Sequence, residues 1–269
     1  MACEVTILIP HYQTKDMIKL CLRCIRRFTR HPYRVVVIDN GSRDESLNYL
    51  EKVPWITLLK QGTENHLWHS HWQALNTAIA GVTTPYSLLF HSDTIPIRDG
   101  WLAFLVTELE HGPYAAAGSR HQRIWPNSIE SRAGWLVPRA IWARERGIPE
   151  PRSFCTLYST ALLKETGQKF VTHAGEDVNE AVNKNLQNQG KPLLAIPSYI
   201  LGRYVCHMSC MTSVVNRIMA QEEVSLAERV RANLGFVTDR MQRKSTRMHN
   251  RLMRVPGIVN VLSDASLDT

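Results

Sequence analysis

The chain has 269 residues, of which 44% are hydrophobic and 21% are charged, and its formal net charge is +8. No apolar run approaches the ~18 residues of a membrane-spanning helix, and the first residues lack a secretion-signal layout, so we expect a cytoplasmic protein. Six cysteines in a chain of this length do not form the pattern of a disulfide framework. The positive charge favours an anionic partner: a nucleotide, a phospholipid surface or a nucleic acid.

The beginning of the chain contains two strand–helix units. Val5–Ile9 is a β-branched, apolar run stopped by Pro10, and an amphipathic stretch from Met17 to Phe28 follows it. Arg34–Asp39 is a second buried strand, which ends in a carboxylate. Two such units in succession predict a parallel sheet with right-handed crossovers.

A third predicted strand, Ile56–Leu59, precedes a loop, a helix and then the central stretch LLFHSDTIPIRDGW at 88–101. This stretch is typical of a buried strand that ends in a polar tip, His91-Ser92-Asp93, before a turn and a new helix. Ligands of open α/β sheets bind at the carboxyl ends of the strands, where Asp93 can present oxygen to a divalent cation. Alternatively, Asp93 only caps the turn or helix that follows.

Four segments in this order resemble the family-2 glycosyltransferases of the GT-A fold: VTILIPHYQ, VVVIDNGSRDES, the helix that carries Asn76, and LLFHSDTIPIRDGW. The resemblance continues into the second half of the chain. There, 157–167 looks like a strand and helix of the family, His173-Ala-Gly-Glu-Asp177 is similar to its acidic motif, and His207 lies where many members have a metal-binding histidine.

The resemblance covers about residues 4–213 and implies an α/β fold of the GT-A type, with a Rossmann-like, mostly parallel central sheet flanked by helices. We expect a glycosyltransferase domain over 1–213, with a nucleotide-binding half of about 1–100 and an acceptor and catalytic half of about 101–213. A helical, basic extension is expected over 214–269.

The resemblance also implies that a nucleotide binds at the ends of the first, second and central strands. The residues that it assigns to the nucleotide are Pro10, His11, Tyr12, Asp39, Asn76, His91, Ser92 and Asp93. Asp39 would accept a hydrogen bond from a base N–H, which fits uracil or thymine. Alternatively, Asp39 caps the turn at Asn40-Gly41.

The central motif departs from the family, which usually has Asp-x-Asp there, because His91 takes the first position. A neutral imidazole can still hydrogen-bond a ribose hydroxyl, but the loss of one negative charge weakens the hold on a cation. The resemblance assigns Mn²⁺ or Mg²⁺ to Asp93. His207 could supply a second ligand, which suits Mn²⁺ better than Mg²⁺.

Asp177 is the predicted general base, because an inverting transfer needs one group that takes the proton from the acceptor hydroxyl. The neighbouring Glu176 would raise its proton affinity, so both are candidate catalytic residues. Alternatively, these two acids simply begin the helix that follows, since acids favour a helix N-terminus.

Two further segments are rich in arginine. The stretch 119–151 interleaves Trp and Arg, and we expect Trp125, Arg132 and Trp135 to bind the acceptor. The alternatives are a helical excursion with solvated arginines and nucleic-acid binding, which no recognised module supports. In the extension, basic residues between Arg240 and Arg254 share one helix face beside an apolar stripe. That helix either lies on an anionic membrane at the inner face or packs on the domain or a second subunit, and the last residues are expected to be loose.

The sequence therefore predicts an inverting, metal-assisted glycosyltransferase that uses a UDP- or dTDP-sugar. Its acceptor would be a hydroxyl of a glycan such as a cell-surface polysaccharide, a glycolipid or another glycoconjugate. One alternative is a catalytically silent binding member of the same fold, which His91 motivates. The other is a nucleotidyltransferase, which is disfavoured because HYQTKD after the first strand has no glycine.

Overall fold

A computed structural model describes residues 4–61, 69–120, 150–171, 177–207 and 253–269, and the single positions 136, 138 and 250. Within the helix that begins at 69, side chains are described from 72 onward. None of the helices in these ranges is long and apolar enough to cross a membrane. Of the predicted basic helix face, Arg254 lies among the described residues, where it is exposed in a turn. The rest of that face between 240 and 252, and with it the predicted membrane or subunit contact, lies outside the described residues.

The described ranges alternate between strands and helices. The strands are β1 (Val5–His11), β2 (Tyr33–Asp39), β3 (Ile56–Lys60), β4 (Tyr86–Phe90), β5 (Thr94–Pro96), β6 (Ala116–Ser119), β7 (Cys155–Ser159), β8 (Leu193–Ile196) and β9 (Val205–His207). The helices are α1 (Lys15–Phe28), α2 (Ser46–Leu50), α3 (His69–Gly81), α4 (Trp101–Glu110), α5 (Thr160–Glu165), α6 (Glu180–Asn188), α7 (Ser198–Leu201) and α8 (Ile258–Ser263), and a 3₁₀ helix spans Ala265–Asp268.

Seven strands form one sheet in the order β3-β2-β1-β4-β7-β6-β8. All neighbours are parallel except β7, which runs antiparallel to both β4 and β6. Strands β5 and β9 pair antiparallel in a small second sheet. The predicted fold, a mostly parallel central sheet flanked by helices, is confirmed.

Strand β1 is apolar throughout because both of its faces are covered. Ile7 and Ile9 belong to a core cluster that includes α1 and α4, whereas Leu8 belongs to a second cluster that includes α3 and α6. A strand buried on both faces needs an uninterrupted apolar run, which is what the sequence shows.

Strand β1 extends past its predicted end at Ile9 to His11. Its pairing with β4 stops at Leu8, so the rest of the strand has only β2 as a neighbour. A proline lacks the N–H that a central strand needs, and it is tolerated where a neighbour is missing. Pro10 therefore lies within the strand and does not terminate it.

The expectation that the last residues are loose is wrong. Ile258 and Val261 of α8 are buried and belong to the same core cluster as α1. The apolar side of this short helix supplies the free energy that holds the segment against the domain.

Polar contacts also fix the segment. Arg23 of α1 is 3% exposed, and its Nε donates to Asp268 Oδ1 at 2.8 Å. Tyr49 donates to the same carboxylate at 2.7 Å, and Trp55 Nε1 donates to the Leu267 carbonyl at 3.2 Å. A guanidinium this buried is stable only when it is paired, so Asp268 completes the packing of α1.

Candidate active site

The carboxyl ends of β1, β2 and β4 lie side by side, because these strands are parallel and adjacent. His11 ends β1 and is in register with Asp39, which ends β2. His91 and Asp93 follow β4 directly. The polar residues that the sequence singled out are therefore gathered at one edge of the sheet, where open α/β folds bind ligands.

Asp39 caps the turn that follows β2. Its carboxylate is 2% exposed and accepts hydrogen bonds from the backbone of Gly41 at 3.1 Å and of Ser42 at 3.0 Å, and from the Ser42 hydroxyl. Gly41 has φ 81°, a conformation that glycine adopts without strain. The turn-capping alternative is thus what the geometry shows. A carboxylate has about four acceptor positions, so one remains for a further donor.

Three buried side chains near this turn have polar atoms without a hydrogen-bond partner among the described residues: both ring nitrogens of His11, the Thr14 hydroxyl and the side-chain oxygen Oδ1 of Asn40. Buried polar groups are nearly always hydrogen-bonded, so such a cluster favours a polar ligand at this place. Burial lowers the pKa of His11 to about 4, although Asp39 and Asp44 act to raise it. The imidazole is therefore neutral near pH 7 and offers one donor and one acceptor.

His91, Asp93 and His207 form a cluster in which one ligand atom from each lies within 4.8 Å of the others. Pairing of β5 with β9 sets Thr94 opposite His207, which brings His207 beside Asp93. Asp93 Oδ1 lies 3.3 Å from His207 Nε2, and both residues are 3% exposed. The Phe154 ring stacks on the His207 ring with centroids 3.8 Å apart and fixes its orientation.

The cluster suits a divalent cation. Burial lowers the pKa of His91 to about 4, although Asp93 acts to raise the pKa and His207 acts to lower it further. The imidazole is therefore neutral near pH 7 and has a lone pair available for a cation. Ligand atoms about 2.1 Å from one ion lie at most about 4.2 Å apart, so these three need to move little to reach a common centre. Imidazole nitrogen with carboxylate oxygen is a usual donor set for transition-metal ions.

Asp177 lies just before α6 and contacts the segment that leads into β7. Its Oδ2 accepts a hydrogen bond from the backbone N–H of Ser153 at 3.4 Å and lies 3.8 Å from Arg152 Nη1. The side chain is 17% exposed and borders a cleft of about 350 Å³. The cleft is lined by Glu150, Pro151, Arg152, Asp177, Asn179, Glu180, Asn183 and Gln187.

A buried network holds the segment before β7 in place. The side-chain amides of Asn179 and Asn183 both donate to the Pro151 carbonyl, at 3.0 and 3.1 Å. Asn179 also donates to the Tyr158 hydroxyl at 2.8 Å, and that hydroxyl donates to Asn183 at 2.6 Å. Burial raises the pKa of Tyr158, so the hydroxyl keeps its proton. Asp177 therefore faces a backbone that α6 and β7 fix together.

Ser153, which sequence reasoning did not identify, contacts both His91 and Asp177. Its hydroxyl lies 3.3 Å from His91 Nε2, while its N–H points to Asp177. The link arises because β7 pairs antiparallel with β4, with Phe90 opposite Cys155. No local sequence pattern within 155–159 indicates that the strand formed there lies beside β4.

The other predicted site residues are placed as follows. The Asn76 side-chain amide donates to the Phe170 carbonyl and its oxygen accepts from the Phe170 N–H, at 2.9 Å each, so this side chain fixes the backbone at Phe170. Ser92 is 3% exposed. Tyr12 follows β1 and its hydroxyl accepts from Gln13 at 3.3 Å. The predicted catalytic Glu176 and the predicted acceptor residues lie outside the described residues: Trp125, Arg132, Trp135.

A model of the family described as Glycosyl transferase family 2 matches residues 6–165, more than half of the chain. The match includes the ends of β1, β2 and β4 and stops before Asp177 and His207. No curated protein matches the chain significantly.

Solved glycosyltransferase structures have a similar fold. Mannosyltransferase PcManGT from Pyrobaculum calidifontis, in complex with GDP-Man and Mn²⁺, aligns with 22% identity and a TM-score of 0.54 over 73% of this chain and 55% of its own. S. aureus TarS aligns with 18% identity and a TM-score of 0.55 over 84% of this chain and 41% of its own. Glucosyl-3-phosphoglycerate synthase from Mycobacterium tuberculosis, in complex with Mg²⁺ and UDP, aligns with 17% identity and a TM-score of 0.53 over 76% of this chain and 71% of its own. This chain thus spans about half the length of the first two, and at these identities the likeness concerns the fold.

Proposed function

The chain belongs to glycosyl transferase family 2, and from that membership we propose that it transfers a sugar from a UDP- or dTDP-linked donor to an acceptor hydroxyl, with inversion at the anomeric carbon. The acceptor is a polysaccharide, a glycolipid or another glycoconjugate. The observation that carries the proposal is the contact of Ser153 with both His91 and Asp177, since it joins the nucleotide-side motif to the candidate base. Neighbours of similar fold solved with GDP-Man or UDP support a nucleotide-linked donor.

We assign the base of the donor to the ends of β1 and β2. The buried polar atoms of His11 and Asn40 have no partner among the described side chains and backbone, and Asp39 retains one acceptor position. Uracil and thymine present alternating carbonyl oxygens and an N–H, which such a mixed donor and acceptor set can satisfy. Asn76 would act indirectly, because its amide is engaged by Phe170.

A divalent cation, Mn²⁺ or Mg²⁺, would be held by Asp93 and His207. When bound, it neutralises the negative charge that develops on the departing diphosphate. The chain keeps these two ligands fixed through the pairing of β5 with β9 and the stacking of Phe154 on His207. Both side chains are buried, so water competes little with the diphosphate for this place.

Asp177 is the proposed base. It takes the proton from the acceptor hydroxyl as that oxygen bonds to the anomeric carbon and the bond to the diphosphate breaks. The Ser153 N–H and Arg152 orient the carboxylate, which borders the cleft from which an acceptor would approach. We further propose that Glu176 raises the proton affinity of Asp177 and that Trp125, Arg132 and Trp135 bind the acceptor.

The test is transfer or hydrolysis of labelled UDP- and dTDP-sugars by the wild-type protein and by Asp177→Asn. We expect Asp177→Asn to lower the rate by about 10²–10⁴-fold while UDP still raises the melting temperature by the same amount. The matched control is Asp99→Asn, at an exposed aspartate that pairs with Arg30 and does not line the cleft beside Asp177. Equal inactivity of wild type and Asp177→Asn across donors and metals would contradict the proposal and favour a silent binding protein.

A further inference from the structure

We propose that His91 is a third metal ligand, and that the resulting set of two imidazoles and one carboxylate makes this site selective for a transition-metal ion such as Mn²⁺ over Mg²⁺. The inference deepens the proposed function and rests on the cation site that it includes. It reassigns His91, which the family resemblance associates with a ribose hydroxyl.

The geometry points to coordination by His91. One of its ring nitrogens lies within 4.8 Å of the ligand atoms of both Asp93 and His207. The main chain of His91 is anchored, because its N–H donates to the Phe154 carbonyl at 3.1 Å. The backbone that carries the ring is therefore held at the junction of β4 and β7.

The second nitrogen of His91 has the partner that a ligating histidine usually has. Metal-bound histidines generally use their other ring nitrogen for a hydrogen bond that fixes the ring. Nε2 of His91 lies 3.3 Å from the Ser153 hydroxyl, which is consistent with coordination through Nδ1. Phe154 contacts the ring edge-on at 6.3 Å between centroids.

The donor set determines which ion is preferred. Mg²⁺ favours oxygen ligands in a strict octahedron, whereas imidazole nitrogen suits transition-metal ions. An Asp-x-Asp motif would provide a second carboxylate, but here two of the three donors are neutral nitrogens and only Asp93 is charged. The remaining positions around the ion would be available to diphosphate oxygens.

The test on the wild-type protein is pulsed electron paramagnetic resonance of bound Mn²⁺ without any nucleotide. We expect hyperfine coupling to two imidazole nitrogens. Coupling to a single nitrogen, or to none, would overturn the proposal. This experiment requires no variant and no catalytic activity, so it stands apart from the transfer assay that tests the proposed function.

Calorimetric titration with Mn²⁺ and with Mg²⁺ provides the second test. We expect the wild-type protein to bind Mn²⁺ at least about tenfold more tightly than Mg²⁺, and His91→Asp to reduce that ratio. The control is His111→Asp, the same replacement at an exposed histidine at the end of α4, which should leave the ratio unchanged. Equal affinities in the wild type, or an unchanged ratio in folded His91→Asp, would overturn the proposal.

Discussion

Ser153 Oγ lies 3.3 Å from His91 Nε2, and the N–H of the same serine donates to Asp177 at 3.4 Å. Two motifs that are far apart in the chain are thus joined through one small residue at the start of β7. The antiparallel pairing of β7 with β4 creates this junction, so the fold itself brings the end of β4 and the candidate base together.

Ser153→Ala removes the hydroxyl contact with His91 and keeps the backbone N–H that orients Asp177. A hydrogen bond of this kind contributes about 1 kcal/mol, so we expect kcat to fall by roughly five- to tenfold. Steady-state kinetics at saturating donor measures this effect. Ser263→Ala, at an exposed serine of α8, is the control. A kcat equal to that of the control would show that the link has no part in the reaction.

His11→Phe should stabilise the protein without ligand and weaken its binding of UDP. The replacement removes two buried ring nitrogens that have no partner among the described residues, and relief of that desolvation is expected to raise the free energy of unfolding by about 1–2 kcal/mol. Thermal melts with and without UDP measure both effects. His11→Leu tests whether the larger volume of phenylalanine offsets the expected rise in the free energy of unfolding. An unchanged UDP-induced shift in either variant would remove His11 from the nucleotide site.

Acid should destabilise the protein through His11. Because burial lowers the pKa of His11 from 6.5 to about 4 in the folded state, the unfolded chain binds a proton in this interval and the folded protein does not. Stability therefore falls as the pH decreases from 6.5 to about 4, by roughly 1.4 kcal/mol per pH unit at most. Urea melts across this range should show a weaker dependence in His11→Phe than in the wild type.

Asp268→Asn should destabilise the fold although Asp268 lies far from the site. The change leaves the Arg23 guanidinium, 3% exposed, without its charged partner. Breaking a buried pair costs about 3–5 kcal/mol, and because Asp268 is 23% exposed we expect the lower end of that range or less. Chemical denaturation measures the loss, with Asp264→Asn at the neighbouring exposed cap as the control.

The same carboxylate predicts a second acid effect. Burial alone would raise the pKa of Asp268, but hydrogen bonds from Arg23 and Tyr49 lower it below its ordinary value of 3.8. A lowered pKa in the folded state means that the stabilisation is present above pH 3.8 and is lost as the pH falls further. In Asp268→Asn this loss below pH 3.8 should be absent.

Local patterns predicted the strands whose ends carry the site, because buried parallel strands produce continuous apolar runs that end at polar residues. They predicted β1, β2 and β4, whereas the assignment of His11, Asp39 and Asp93 to one nucleotide site came from the family resemblance. They could not reveal Ser153, whose position depends on β7 lying beside β4. Such pairing depends on packing between segments that are distant in sequence, so the hydrophobic periodicity within either segment cannot predict it.

Two further features depended on long-range packing in the same way. The pairing of β5 with β9, which brings His207 to Asp93, joins strands of three residues each, too short to show a period. Ile258 and Val261 pack against α1 from a helix of only six residues. Such a short apolar pattern at the end of a chain does not by itself predict packing against a distant helix.

The most direct test of the account is a crystal structure of the protein with UDP and Mn²⁺. We expect the diphosphate beside Asp93 and His207, and the Asp177 carboxylate facing it across a space that admits one sugar ring. A nucleotide bound at another surface, or Asp177 separated from the diphosphate by folded chain, would contradict the claim that these two aspartates serve one reaction.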